Sequence, residues 1–151
     1  MEGVAFEAFF RERVGPWLAE QELPVIASGM ITSRNGWVET PYLELPAGPS
    51  ELADNLTLHR LSNGQKIRFI TGATSVDATG APDVMRGEET EVAGLLDHGI
   101  TEDLIVMPGT HSKWVRVKDG QISSFETYMT GDVFAALREA TILGKLMSGS
   151  D

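Results

Sequence analysis

Three stretches of the sequence set reactive side chains beside glycines. The first, Val84-Met85-Arg86-Gly87-Glu88-Glu89-Thr90-Glu91, brings an arginine, a glycine and several carboxylates to the start of a helix. A carboxylate held at a loop–helix junction can act as general base on a hydroxyl. Arg86, the one Lys or Arg between Arg68 and Lys113, can grip an anionic substrate through its planar fork. The same residues also read as an acidic first turn that complements the helix dipole, with Arg86 as its salt-bridge partner. The second stretch, Val106-Met107-Pro108-Gly109-Thr110-His111-Ser112-Lys113-Trp114-Val115, reads as strand, turn, strand. Such a turn can offer backbone N–H groups and a hydroxyl to a phosphate, Gly109 permits close approach, and Lys113 adds charge. An ordinary hairpin turn has the same composition. The third runs Ser28-Gly29-Met30-Ile31-Thr32-Ser33-Arg34-Asn35-Gly36-Trp37, with Thr40-Pro41-Tyr42 after it. A glycine-rich loop leaving the carboxyl end of a strand is where open α/β sheets bind ligands, although Trp37 could equally pack for stability alone.

Other chemistries lack their residues. The sequence holds no Gly-x-x-x-x-Gly-Lys-Ser/Thr phosphate loop, no Gly-x-Gly-x-x-Gly fingerprint and no Gly-x-Ser-x-Gly elbow. His59, His98 and His111 are far apart and form no helical pair, which argues against a protein zinc site.

The elements that must position these stretches follow from periodicity. Val4, Phe6, Phe9, Phe10, Val14, Trp17 and Leu18 predict an amphipathic helix over 4–22, kinked or split at Gly15-Pro16. Val25-Ile26-Ala27 reads as a short buried strand, and 29–49 as a long loop. Ser50 is a candidate N-cap for a weak helix over 50–55. Strands are expected at 56–61 and 66–71 around the Asn63-Gly64 turn, and 72–86 reads as loop. A helix over 87–97 is followed by strands at 104–107, 113–118 and 121–129, the last pair joined at Asp119-Gly120. A final helix covers 131–147. This mixture of helices, hairpins and a parallel strand predicts an α/β or α+β class.

Composition narrows the setting. The 151 residues carry 12 basic and 22 acidic side chains, a net charge of -10, 42% hydrophobic residues and no cysteine. That hydrophobic share is too high for a disordered chain. No apolar run reaches the roughly 20 residues of a membrane span, and Met1-Glu2-Gly3 does not open a signal peptide. The absence of cysteine removes disulfides and thiolate metal sites and suits a cytoplasmic setting. The acidic balance argues against nucleic-acid binding.

Taken in order, the three stretches and Met129-Thr130-Gly131 resemble the 2-dehydro-3-deoxygalactonokinase family. The resemblance implies an α/β, actin/hexokinase-like (ribonuclease H-like) ATPase fold that closes two lobes around its substrates. Residues 1–99 would be the remainder of lobe one and 100–151 the start of lobe two. It implies transfer of the ATP γ-phosphoryl group to the 6-hydroxyl of 2-dehydro-3-deoxy-D-galactonate, with Mg²⁺ serving the nucleotide. By the match to related carbohydrate kinases, Glu88 would be the catalytic base, with Glu89 as the alternative. Gly109, Thr110, His111 and Lys113 would meet phosphate. Ser33, Asn35, Gly36 and Trp37 would shape the sugar-acid pocket, and Arg86 is added from its chemistry as a carboxylate ligand. Members of the family are longer, opening with an Asp-x-Gly-Ser/Thr-Thr-Asn turn and closing with an adenosine pocket. The chain is therefore expected to be partial and inactive alone, and possible self-association as a homo-oligomer follows from an exposed half-interface. The alternative expectation is a non-catalytic sugar-acid-binding module.

Overall fold

The computed structural model describes residues 2–21, 23–77 and 79–147. Position 22, where the first expected helix ends, position 78 and positions 148–151 lie outside the described residues, as do the side chains of 2–4 and 147. The fold is mixed α/β, with three small sheets and helices on their flanks.

The N-terminal apolar period forms α1 (Glu2–Arg13) and α2 (Gly15–Glu20), which separate at Val14 beside the Gly-Pro pair. Strands β1 (Val25–Ala27), β3 (Thr57–Arg60) and β4 (Lys66–Phe69) make the first sheet, in the order β1-β4-β3. Strand β1 runs parallel to β4, and β3 is antiparallel to it. The expectation of a buried β1 needs correcting: it lies at the sheet edge, and Ile26 is 57% exposed. Leu61, Ile67 and Phe69 form the core beneath this sheet, with Phe10, Val25, Ala27, Ile31, Trp37 and Val38 packed around it.

Both expected loops contain strands. Strand β2 (Tyr42–Glu44) lies inside 29–49 and pairs in parallel with β5 (Gly72–Val76), which pairs with β6 (Pro82–Met85). Segment 72–86 is thus a hairpin. Its turn is held by the Asp77 carboxylate, which accepts from the Thr79 and Ala81 amides and the Thr79 hydroxyl. Pro82 stands at the start of its strand, where a missing N–H is tolerated. A 3₁₀ turn (Gly29–Thr32) begins the same long loop. Helix α3 (Pro49–Asp54) is capped by Gly48 rather than Ser50, the Gly48 amide donating to the Glu51 carboxylate.

Helix α4 (Glu88–Asp97) leads to a meander of β7 (Asp103–Met107), β8 (Ser112–Lys118) and β9 (Gln121–Tyr128). One core joins Ala73, Met85, Val92 and Leu96 to Val115, Val117, Ile122 and Phe125, on both sides of position 99. The expected last helix is two, α5 (Thr130–Ala140) and α6 (Ile142–Met147). Thr141 is extended between them, and its hydroxyl donates to the Leu137 carbonyl and accepts from the Leu143 amide. Four of their apolar side chains, Val133, Phe134, Ile142 and Leu146, are more than half exposed. Among the described residues no helix is long and apolar enough to cross a membrane.

Candidate functional site

The ends of β6 and β8, the start of α4 and the loop after β1 converge on one cleft of about 200 Å³. Met30, Ser33, Tyr42, Val84, Met85, Arg86, Glu88, His111 and Lys113 line it. Each of the three stretches singled out by sequence contributes to this lining. Larger depressions lie elsewhere. One, of about 570 Å³, sits among Leu18, Leu23, Pro24 and residues 64–68. Another, of about 530 Å³, lies between the β5–β6 turn and β9. A third, of about 410 Å³, runs along Tyr128, Met129, Val133, Phe134 and Leu137. None of the three joins a cation, a carboxylate and an imidazole as the small cleft does, so chemistry rather than volume selects the site.

Gly87 makes the turn into α4 possible. Its φ of 114° favours glycine, and a Cβ there would stand 3.2 Å from the Gly29 Cα of the opposing loop. The two following glutamates then diverge. Glu88 lines the cleft, and one of its carboxylate oxygens accepts the Arg86 amide at 2.9 Å. Glu89 is 1% exposed and faces the core, its oxygens accepting from the Gly87 amide at 2.7 Å and the Thr90 hydroxyl at 3.0 Å.

Burial pushes the Glu89 carboxyl above its ordinary range, against the lowering effect of those hydrogen bonds. The native state then keeps this proton to higher pH than the unfolded chain does. Its contribution to stability falls as pH climbs from the ordinary carboxylate value of 4.5 through the raised one. Glu89→Gln keeps an acceptor for Gly87 and carries no charge. Its stability relative to wild type should therefore rise across that window, as read by urea unfolding at a series of pH values. Parallel stability curves would show that Glu89 does not titrate differently on folding.

Arg86 is not the salt-bridge partner of the acidic turn, since its side chain leaves α4 for the loop after β1. One terminal nitrogen donates to the Thr32 carbonyl and hydroxyl at 2.6 Å each and to the Thr40 hydroxyl at 2.7 Å. The other donates to the Thr40 carbonyl at 3.1 Å. The guanidinium carbon lies 4.3 Å from the Tyr42 ring centroid. Thr32 and Thr40 are 0% and 2% exposed, so the clamp ties the loop to the α4 start from within. Both terminal nitrogens therefore donate to the protein itself, and Arg86 still lines the cleft where the sequence expects a carboxylate ligand. Among the described residues no carboxylate forms an ion pair with Arg86, and its Nε has no partner. Its charge therefore acts on the cleft as a fixed positive field. Arg86→Lys offers one ammonium where two nitrogens bridged both threonines. It should lower unfolding stability by about 1–3 kcal/mol, seen as a lower urea midpoint; an unchanged midpoint would refute the clamp.

Lys113 is similarly engaged. It is 5% exposed and donates to the Val84 carbonyl at 2.7 Å and the Thr127 hydroxyl at 2.6 Å, with Asp83 at 4.0 Å. Thr127 donates in turn to Asp83 at 2.8 Å. Lys113 thus braces β6 against β9 instead of standing free for an anion. Gly109, Thr110 and His111 are exposed. The Gly109 amide donates to the Ser112 hydroxyl, which closes the turn. Helix α5 starts on this turn: the Gly131 amide donates to the Gly109 and Thr110 carbonyls, and the Asp132 amide to that of Thr110. His111 Nε2 lies 2.7 Å from the Asp132 carboxylate.

Of the remaining expected residues, Ser33 lines the cleft and donates its hydroxyl to the Met30 carbonyl at 2.7 Å. Asn35 is exposed and outside the cleft lining. Gly36 is required by crowding, because a Cβ would collide with the Ile31 carbonyl and stand 2.5 Å from the Met30 oxygen. Trp37 lies away from the cleft, against Phe6, Phe10, His59 and Phe69, with ring centroids 5.6–6.0 Å apart. Thr32 and Thr40 belong to the third stretch but carry no individual role in the sequence reading, and Asp83, Thr127 and Asp132 carry site contacts from outside all three stretches; only their polar types hint at them. Among the described residues no three His, Asp or Glu side chains gather to hold a metal ion.

An α/β domain with a carboxylate facing a cation-walled cleft suits an anionic, hydroxyl-bearing small molecule. The sequence model described as 2-keto-3-deoxy-galactonokinase matches residues 1–151, and the chain belongs to that family. It is 41% identical over 134 residues to a probable 2-dehydro-3-deoxygalactonokinase of Rhizobium meliloti, covering 88% of this chain and 43% of that protein. It is 39% identical over 125 residues to the 2-dehydro-3-deoxygalactonokinase of Escherichia coli, covering 83% and 41%. A crystal structure of a protein assigned to the same activity in Sinorhizobium meliloti superposes with a TM-score of 0.80 at 38% identity, over 94% of this chain and 48% of that one. The chain spans less than half the length of these relatives.

Proposed function

We propose that this chain supplies the sugar-acid side of an ATP-dependent kinase acting on the 6-hydroxyl of 2-dehydro-3-deoxy-D-galactonate. The observation that carries the reading is the cleft itself, where Ser33, Arg86, Glu88, His111 and Lys113 meet from three separate stretches. Glu88 takes the hydroxyl proton as the substrate oxygen attacks the γ-phosphorus and the bond to the departing ADP oxygen breaks. Arg86 and Lys113, each held by the protein, supply positive charge to an anionic substrate without being its direct ligands. Thr110 and His111 approach the phosphoryl group from the rim, with Gly109 giving the turn its shape. Ser33 faces the sugar acid, Asn35 and Gly36 shape the turn of its loop, and Trp37 packs behind that loop on the first core. Mg²⁺ is proposed to arrive with the nucleotide and to neutralise phosphate charge, the role it commonly plays with few protein ligands; no step is assigned to a protein-bound metal.

The finer architecture belongs to the same proposal. It is a two-lobed actin/hexokinase-like (ribonuclease H-like) fold, with residues 1–99 in lobe one and 100–151 opening lobe two in the cytoplasmic enzyme. The place of Glu88 at the head of α4, facing the turn between β7 and β8, supports it.

Calorimetric titration of the chain with 2-dehydro-3-deoxygalactonate tests the substrate assignment, and saturable binding is expected. Exchanging residues 1–151 into the Rhizobium meliloti relative, followed by a coupled ADP assay, tests the transfer. No binding of the sugar acid would overturn the reading. Binding without transfer in the exchanged protein would favour a sugar-acid-binding module.

A further inference from the structure

We propose that Asp132 is a positioning residue for His111, holding the ring so that nucleotide phosphate binds only to its doubly protonated form. The inference rests on the assignment of the β7–β8 turn to phosphate. His111 lines the cleft from that turn, and its Nε2 lies 2.7 Å from the Asp132 carboxylate. The pair does not hang on a mobile tip, because the Gly131 and Asp132 amides fasten the start of α5 to the Gly109 and Thr110 carbonyls. The backbones that carry the ring and its carboxylate are thus held by the same junction, while both side chains are about half exposed.

Hydrogen-bond counting gives the consequence. An ionised carboxylate only accepts, so Nε2 must donate to Asp132. A neutral imidazole then has Nδ1 as a bare acceptor, which repels a phosphate oxygen. Donation from both nitrogens requires imidazolium. The charges about the ring divide: Asp132, in contact with it, and Glu88, in the cleft lining, are negative, whereas Arg86 and Lys113 in that lining are positive. Binding of phosphate is therefore coupled to proton uptake at His111, and Asp132 enforces the coupling. An amide in its place can donate to Nε2 instead, which lets a neutral ring present its Nδ1 proton to the ligand.

The test is calorimetry of the intact chain with inorganic tripolyphosphate at pH 8, in buffers of different ionisation enthalpy. The difference in proton uptake between wild type and His111→Asn isolates the ring from the ligand's own titration. About one proton is expected in wild type. Asp132→Asn should bind about tenfold more weakly and lose that uptake. Unchanged uptake in Asp132→Asn, or none in wild type despite binding, would overturn the role of Asp132 while leaving the phosphate assignment standing. No binding of tripolyphosphate to wild type would overturn the phosphate assignment and the inference together.

Discussion

Glu88→Gln is expected to slow phosphoryl transfer to the sugar acid by about 10²–10⁴-fold, with the KM for that acid little changed. The reason lies in what the substitution preserves. Glutamine keeps the size of the side chain and an oxygen that can accept the Arg86 amide, so the start of α4 retains its geometry. It removes only the capacity to take a proton. Coupled ADP measurements in the relative carrying residues 1–151 would give kcat, and titration with the sugar acid would give affinity. Equal turnover in the two proteins would sink the base assignment. The matching change at Glu89 gives the contrast: its carboxylate is enclosed by Gly87 and Thr90, so Glu89→Gln should act on stability and its pH dependence far more than on proton transfer.

Trp37→Ala should remove about 3–5 kcal/mol of unfolding stability, while the folded variant keeps its sugar-acid affinity. Trp37 joins α1, through Phe6 and Phe10, to the first sheet, through Phe69 and His59. Phe69 is fully buried, so truncation opens a gap directly above the centre of that core. Trp37→Phe retains part of the cluster and should cost less. Denaturant unfolding, with titration below the transition, separates the two roles. A variant of near wild-type stability that binds the acid weakly would return Trp37 to the pocket.

Where the sequence could be read, the signals were short and local. Asn63-Gly64 and Asp119-Gly120 mark two turns, and both join the antiparallel pairs expected of them. The head of α4 was legible from its glycine and acidic run. What stayed hidden depends on partners distant in the chain. Strand β5 is short and holds Gly72, Thr74 and Ser75, which read as loop. It becomes a strand because β2 and β6 flank it in register. The grip of Arg86 spans 54 residues to Thr32 and 46 to Thr40, and no local spacing announces it. Trp37 illustrates the opposite problem. An aromatic in a glycine-rich loop fits a pocket or a core equally well, and only the positions of Phe6 and Phe69 decide between them. His111 was legible as a candidate; its partner Asp132, 21 residues on, was not.

The core shared by Ala73, Met85, Val92 and Leu96 with Val115, Val117, Ile122 and Phe125 has a consequence for dissecting the molecule. A gene split near position 99 yields two polypeptides that each carry half of one apolar surface. Either piece expressed by itself would expose that surface and tend to clump, whereas mixing the two from denaturant should let them find each other. Truncation mapping at this point would therefore report the sociability of the fragments before it reported which of them binds a ligand.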